Sequence, residues 1–302
     1  MNGQRKGYVL AALAALQWST MGILGKLLFG FGAPPLTVVT LRATLLLLAL
    51  AVILLLFQRS SLRIRARDGF FFAAYGLLGV ACGFFFFFTA VSRIGVTVAS
   101  FLLYTYPVFV TLLSAVLLKE RITPLKVAAL VLSLAGIALL SEMYEPLSAR
   151  VETRGVLLAL LAAVSGASYS IFGKKAVQRY SSWTVLFWST GFAALFLVAA
   201  QLVFLGRPAL AHPAPFWGWL LMLVFIPSLG GSLAYISALK RIEASRASIT
   251  ATVEPVAAGI LAYGFFRESL SPSQILGTAL VLAGVILVQW RSPGREAAGP
   301  PS

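Results

Sequence analysis

Apolar blocks of about 20 residues, separated by short polar stretches, recur along the whole chain. At 1.5 Å of rise per residue, such a block spans the ~30 Å hydrocarbon core of a bilayer as a helix. Water is absent from that core, so the backbone must hydrogen-bond to itself, and a helix does this segment by segment. The ten-residue alternation of a barrel strand does not occur. The pattern predicts helices over 8–29, 36–57, 69–91, 96–118, 124–141, 155–177, 183–205, 215–239, 245–266 and 272–290. The expected fold class is an all-α membrane protein with ten transmembrane helices in the lipid bilayer.

Composition agrees: 60% of the residues are hydrophobic and 11% are charged, against about a quarter charged in soluble globular chains. A net charge of +15 would suggest a nucleic-acid partner in a soluble protein, but its placement argues otherwise. With the predicted helices, 17 of the 24 Lys and Arg fall on the face holding both termini and 5 on the other, while Lys26 and Arg42 lie inside helices. Such a bias is the positive-inside signal, so both termini of a multi-pass inner (plasma) membrane protein are expected to be cytoplasmic, with no nucleic-acid partner. Arg5 and Lys6 ahead of an apolar run mimic a signal peptide, but the run continues to Leu28, so it reads as the first helix. Cys82 is the lone cysteine, which leaves no intrachain disulfide and no thiol metal site.

A shift of 148 residues aligns two blocks of the chain with later ones without a gap. Residues 7–27 lie over 155–175, matching Gly7 with Gly155, Gly25 with Gly173 and Lys26 with Lys174. Residues 90–142 lie over 238–290, matching Arg93 with Arg241, Ser100 with Ser248, Pro107 with Pro255, Glu120 with Glu268 and Gly136 with Gly284. Shared Ala and Leu arise in any two apolar helices, whereas matched Pro, Gly, Arg and Glu do not. The chain therefore divides at 1–147 and 148–302 into two five-helix units. Five is odd, so the second copy must enter the membrane from the opposite face, and the expected architecture is two inverted five-helix repeats. Inverted repeats are characteristic of secondary transporters, whose halves rock about a site near the midplane.

Three features carry a family resemblance. The second helix contains Thr40-Leu41-Arg42-Ala43, and the fourth helix of each unit has a central proline, in Tyr106-Pro107 and Glu254-Pro255. Lys119-Glu120-Arg121-Ile122-Thr123-Pro124 and Arg267-Glu268-Ser269-Leu270-Ser271-Pro272 follow those helices. In this order, within a duplicated plan, the chain resembles the EamA type of the drug/metabolite transporter superfamily over nearly its whole length. The resemblance implies a bacterial exporter of amino acids, aromatic ones among them, or of related metabolites, with a central cavity between the halves. It leaves open the substrate, since that superfamily also includes drug and other-metabolite carriers.

Thr123-Pro124 and Ser271-Pro272 read as N-cap followed by the first helical position, where a missing N–H costs nothing. Glu120 and Glu268 neutralise neighbouring bases there or sit near that helix N-terminus. Interruptions at matching positions of two halves point to a site or hinge, which selects Pro107 with Pro255, and Gly79 and Gly83 with Pro227 and Gly231. Glycines at such spacing also serve plain helix packing. Polar residues at Thr97, Ser100, Tyr104, Thr111 and Ser114 fall on one helical face, and Ser245, Ser248 and Thr252 repeat it. With Trp18, Ser165, Tyr169, Tyr75, Tyr106 and Tyr235 they suit an aromatic-rich cavity, or simply hydrogen bonds and core between helices. The run Phe84–Phe88 goes round its helix, so most of it is expected to face lipid or neighbours.

Glu254 alone among nine acids lies within a hydrophobic segment, about 13 Å along its helix. A carboxylate there marks function by default. It contacts substrate, carries a coupling proton, sits protonated on carbonyls freed by Pro255, or forms a structural ion pair with Arg42, about 9 Å along a helix entering from the other face. Lys26, Lys174 and Lys175 near helix ends are expected to snorkel. The one histidine, His212, falls in a loop, and no GxxxxGK[ST] phosphate loop is present, so the chain does not read as an enzyme or an ATP-driven pump. The expectation is a monomeric secondary carrier for a small-molecule substrate, with no catalytic residues, no cofactor and no metal. A channel or membrane assembly partner is the other reading, and saturable flux separates the two.

Overall fold

In a computed structural model, residues 3–141, 152–266 and 271–290 are described, and among them every regular element is a helix. Eight of these helices are long and apolar enough to cross a membrane. They are α1 (Gly3–Phe29), α2 (Pro35–Phe57), α3 (Ala66–Ile94), α4 (Val96–Leu117), α6 (Thr153–Ala176), α7 (Ser182–Phe204), α8 (Ala214–Leu239) and α10 (Pro272–Gln289). Between them lie α5, a shorter apolar helix at Pro124–Leu140, and α9, formed by the consecutive pieces Ala244–Ala251 and Val253–Phe266. The unit boundary at 147/148 and the motif residues Arg267, Glu268, Ser269 and Leu270 lie outside the described residues.

Helix starts follow local chemistry. The Thr123 hydroxyl accepts the Lys126 N–H at 3.3 Å ahead of Pro124, and Ser271 closes a capping box with Gln274 ahead of Pro272. The expected helix over 245–266 is instead two pieces that meet at Thr252. Pro255 in the first turn of the second piece has no N–H to continue the ladder. Helix α4 breaks at the equivalent place, Tyr104-Thr105, with Pro107 just inside the new start.

Packing repeats across the two halves. A side chain added at Gly7 would meet Arg241 and Ile242, and one at Gly155 would meet Arg93 and Ile94, which are the same positions with the halves exchanged. Helices α5 and α10 pack closely in the same reciprocal way: Gly136 faces Gly277 and Val281, while Gly284 faces Ala129 and Ser133. Small residues at these contacts let backbones approach where lipid offers no hydrophobic drive between helices. Tyr8 near the start of α1 donates to the Val288 carbonyl near the end of α10 at 3.2 Å, so the start of α1 and the end of α10 lie at one face.

Candidate functional site

Four helix interruptions shape the interior. In α4 and α9 they are the breaks at Tyr104-Thr105 and Thr252, where hydroxyls take up carbonyls: Thr105 donates to Leu102 at 2.6 Å and Thr252 to Ile249 at 2.6 Å. In α3 and α8 they are widened π turns at Tyr75–Ala81 and Val224–Gly231. The hinge candidates Gly79, Pro227 and Gly231 fall within these turns and Gly83 just after one. Ser228 donates to the Leu223 carbonyl at 2.7 Å, which satisfies the turn containing Pro227. The same glycines also carry close contacts. A Cβ on Gly79 would lie 3.1 Å from the Tyr169 backbone, and one on Gly231 would lie 2.8 Å from Trp18.

Inside these interruptions is a cavity of about 560 Å³. Of the residues expected to line it, Trp18, Ser100, Tyr104, Tyr106, Tyr169, Tyr235 and Glu254 do so. Tyr75, Ser165 and Thr252 do not. Tyr75 is fully buried one layer behind, stacked on Phe172 at 5.6 Å and tilted against Tyr169 at 5.5 Å. Ser165 donates to the Leu78 carbonyl in the α3 π turn, and Thr252 is occupied with Ile249 and Ser133. The α4 stripe is likewise split by its break, since Thr111 and Ser114 turn back onto carbonyls of their own helix.

An aromatic floor closes the cavity toward the face of the termini. Trp18 and Tyr235 lie 5.0 Å apart, Tyr169 and Tyr235 stack at 6.1 Å, and the Tyr235 and Ser170 hydroxyls share a 2.8 Å hydrogen bond. In the other direction the lining reaches Phe29, Pro35, Ser92 and Val96 at helix ends, so the cavity extends to the opposite face. Its α3 wall carries Gly79, Val80, Gly83, Phe84, Phe87, Phe88 and Val91, one continuous helical stripe. That is a correction to the expectation for Phe84–Phe88: three of the five line the cavity. The 3.6-residue spacing from Gly83 onward was the available signal.

Arg42 and Glu254 are the charged side chains among the described lining residues. Arg42 is 7% exposed. Its guanidinium lies 3.9 Å over the Phe84 ring, Nη1 donates to Ser228 at 3.4 Å, and Nε has no hydrogen-bond partner. A guanidinium at membrane depth costs about 3 kcal/mol even on the milder insertion scales. Glu254 sits in the first turn of the second α9 piece, where the helix dipole favours negative charge. It accepts from Tyr104 at 3.3 Å. The expected Arg42–Glu254 ion pair is absent from the ion pairs among the described residues. The physical reason is that Phe84 and Ser228 hold the guanidinium against α3 and α8, whereas Glu254 hangs beside α4.

Beyond the aromatic floor a polar network joins α1, α5, α9 and α10. The Glu120 carboxylate accepts the N–H groups of Ala244 at 2.7 Å and Ser245 at 3.2 Å, together with the Ser245 hydroxyl. Glu120 does neutralise a neighbouring base, with Lys126 Nζ at 3.8 Å, but the helix N-terminus it caps belongs to α9, in the other half, and not to α5. Lys126 also pairs with Glu243 at 3.1 Å, and Glu243 with Arg246 at 2.7 Å. Arg246 continues to Tyr8 and to the Val288 carbonyl, at 2.8 and 2.9 Å. Lys174, expected to snorkel, donates to Leu239 and Ile242 carbonyls at 2.6 and 2.7 Å, holding the end of α8. Burial alone would raise the Glu243 carboxyl, but Lys126 and Arg246 outweigh it and hold it below the ordinary glutamate range. Sequence reasoning missed this cross-half cap, because nothing local to Glu120 names Ala244.

A protein-family model described as the EamA-like transporter family matches residues 5–142 and again 153–290. An uncharacterized transporter of Clostridium kluyveri is 27% identical over 292 residues, covering 94% of this chain and 93% of that protein. One from Archaeoglobus fulgidus is 33% identical over 196 residues, or 65% of this chain and 67% of the relative. A protein of Streptantibioticus cattleyicolor named a probable terminal-alkyne amino-acid exporter is 27% identical over 239 residues, 78% and 77% of the two chains. A solved crystal structure superposes with a TM-score of 0.80 at 21% identity, covering 93% of this chain and 95% of that one, a likeness of fold.

Proposed function

The chain belongs to the EamA-like transporter family, and from that premise we propose that it is a secondary carrier that exports amino acids or related small metabolites by alternating access. In this reading the chain crosses the bacterial inner membrane ten times as two inverted five-helix repeats, with both termini cytoplasmic, and works as a monomer. The observation that carries the proposal is the cavity of about 560 Å³, which reaches one face and is separated from the other by the aromatic floor and the Glu120 network. The reciprocal contacts of Gly7 and Gly155 support two halves that can exchange conformations. The exporter name of one relative supports the substrate class.

The test is uptake of radiolabelled amino acids into proteoliposomes holding the purified protein, with unlabelled Phe, Tyr, Trp, Thr and sugars as competitors. Saturable uptake blocked by one class is the expected result. Fast, non-saturating flux would instead make the protein a channel. With folded protein, no flux of any of these solutes would sink the amino-acid assignment and bring drugs and other metabolites forward.

A further inference from the structure

We propose that Arg42 and Glu254 form a two-point charge filter that restricts the cavity to zwitterions, with the solute's carboxylate taken by Arg42 and its ammonium by Glu254. This rests on the reading of the cavity as the transport site. Arg42 is buried, yet its contacts are an aromatic face, one long bond to Ser228 and no partner for Nε. A guanidinium presents a planar fork of donors suited to a carboxylate, and here that fork lacks an anion. Glu254 has the converse deficit, with a single neutral donor, Tyr104, at 3.3 Å.

The two charges share one cavity without pairing. A solute with only an anionic end would satisfy Arg42 and leave Glu254 facing a like charge or nothing. A solute with only a cationic end would do the reverse. Either leaves a desolvated charge uncompensated, which is how a site rejects the wrong ligand. A zwitterion compensates both, and its apolar body meets the aromatic side chains of Trp18 and Tyr235. The filter therefore reads the charged ends and leaves the side chain loosely specified.

The experiment compares three labelled solutes sharing one ring: phenylalanine, phenylalaninamide, which lacks the carboxylate, and 3-phenylpropanoate, which lacks the ammonium. Wild-type protein in proteoliposomes should carry phenylalanine at least tenfold faster than either analogue. Arg42→Gln should lose phenylalanine flux while phenylalaninamide flux holds or rises. Glu254→Gln should do the same for 3-phenylpropanoate, and Arg42→Lys should keep part of the preference for a carboxylate. The proposal is overturned if wild type carries a singly charged analogue as fast as phenylalanine, or if each variant lowers all three alike. Flux of some other solute with none of these three also overturns it and leaves the carrier reading intact. Absence of flux for every solute tried removes both.

Discussion

The carboxylate of Glu120, in the connection between α4 and α5, accepts the backbone N–H of Ala244, 2.7 Å away at the start of α9. A side chain of the first half thus caps a helix of the second. In the proposed alternating-access cycle, opening the cavity toward this face would break that cap. Removing one partner from a buried charged contact is expensive because the remaining group stays desolvated. Glu120→Ala should weaken closure of this face by about 2 kcal/mol, or roughly 30-fold in population. The check is a cysteine at Ser232, a cavity-lining position, in a Cys82→Ser background. An impermeant maleimide should label it from the far face alone in the parent and from both faces with Glu120→Ala. Unchanged one-sided labelling would show that the network does not hold the gate.

The same network fixes a pH window. Glu243 is held below the ordinary glutamate value of 4.5, with Lys126 and Arg246 outweighing burial. A depressed carboxylate contributes stability that is present above its unfolded pKa and lost as pH falls through its folded one. Closure of the terminus-side face should therefore be flat from pH 5.5 to 8 and loosen only in stronger acid. Glu243 is 41% exposed, so solvent screens it and the effect is modest. Labelling at Ser232→Cys across pH measures it, and Glu243→Gln should abolish the acid step. An acid step that survives the substitution assigns it to another group.

Much of this was legible in the sequence, and for identifiable reasons. The apolar blocks set the helix positions because length and hydropathy are local properties. The 148-residue offset matched positions that reappear as reciprocal contacts, Gly7 on Ile242 and Gly155 on Ile94. Pro107 and Pro255 marked the breaks because a missing N–H acts on its own helix. What stayed hidden depends on how helices are rotated against one another. Arg42 and Glu254 have compatible depths, but depth gives no azimuth, and the guanidinium lies over Phe84 while Glu254 lies beside Tyr104. The π turn at Tyr75–Ala81 inserts a residue and resets which α3 side chains face inward. That reset also leaves Tyr75 behind the wall.

The α5–α10 contact should be the most sensitive to added volume. A Cβ on Gly136 would fall 2.5 Å from the Gly277 carbonyl oxygen, and backbone there cannot move aside cheaply. Gly136→Ala should destabilise the protein by about 1–3 kcal/mol, as overpacking typically does. Gly259→Ala is the control, since nothing among the described residues lies within 4 Å of its added methyl. Higher helix propensity should there leave stability unchanged or raise it by up to about 1 kcal/mol. Thermal unfolding in detergent of the two variants tests the contrast. Equal shifts would mean that the helices are not packed this closely.

Pro255 should trade function for stability. Its ring removes a backbone hydrogen bond and ends the continuous helix, which lets the second α9 piece begin at Val253 with Glu254 in its first turn. Pro255→Ala returns an N–H and permits one unbroken helix through Thr252, with a gain of about 0.5–1.5 kcal/mol from the restored bond. Joining the pieces alters the local turn, so the carboxylate leaves its position beside Tyr104 and the dipole of the second piece no longer ends there. The variant should therefore melt at the same or a higher temperature yet carry substrate at least tenfold more slowly. Pro107→Ala makes the same change in α4, where Tyr106 rather than an acid precedes the proline. It should slow transport less if the acid's placement is what matters. Equal losses in the two variants would point to bending of the helices, rather than presentation of Glu254, as the purpose of the breaks.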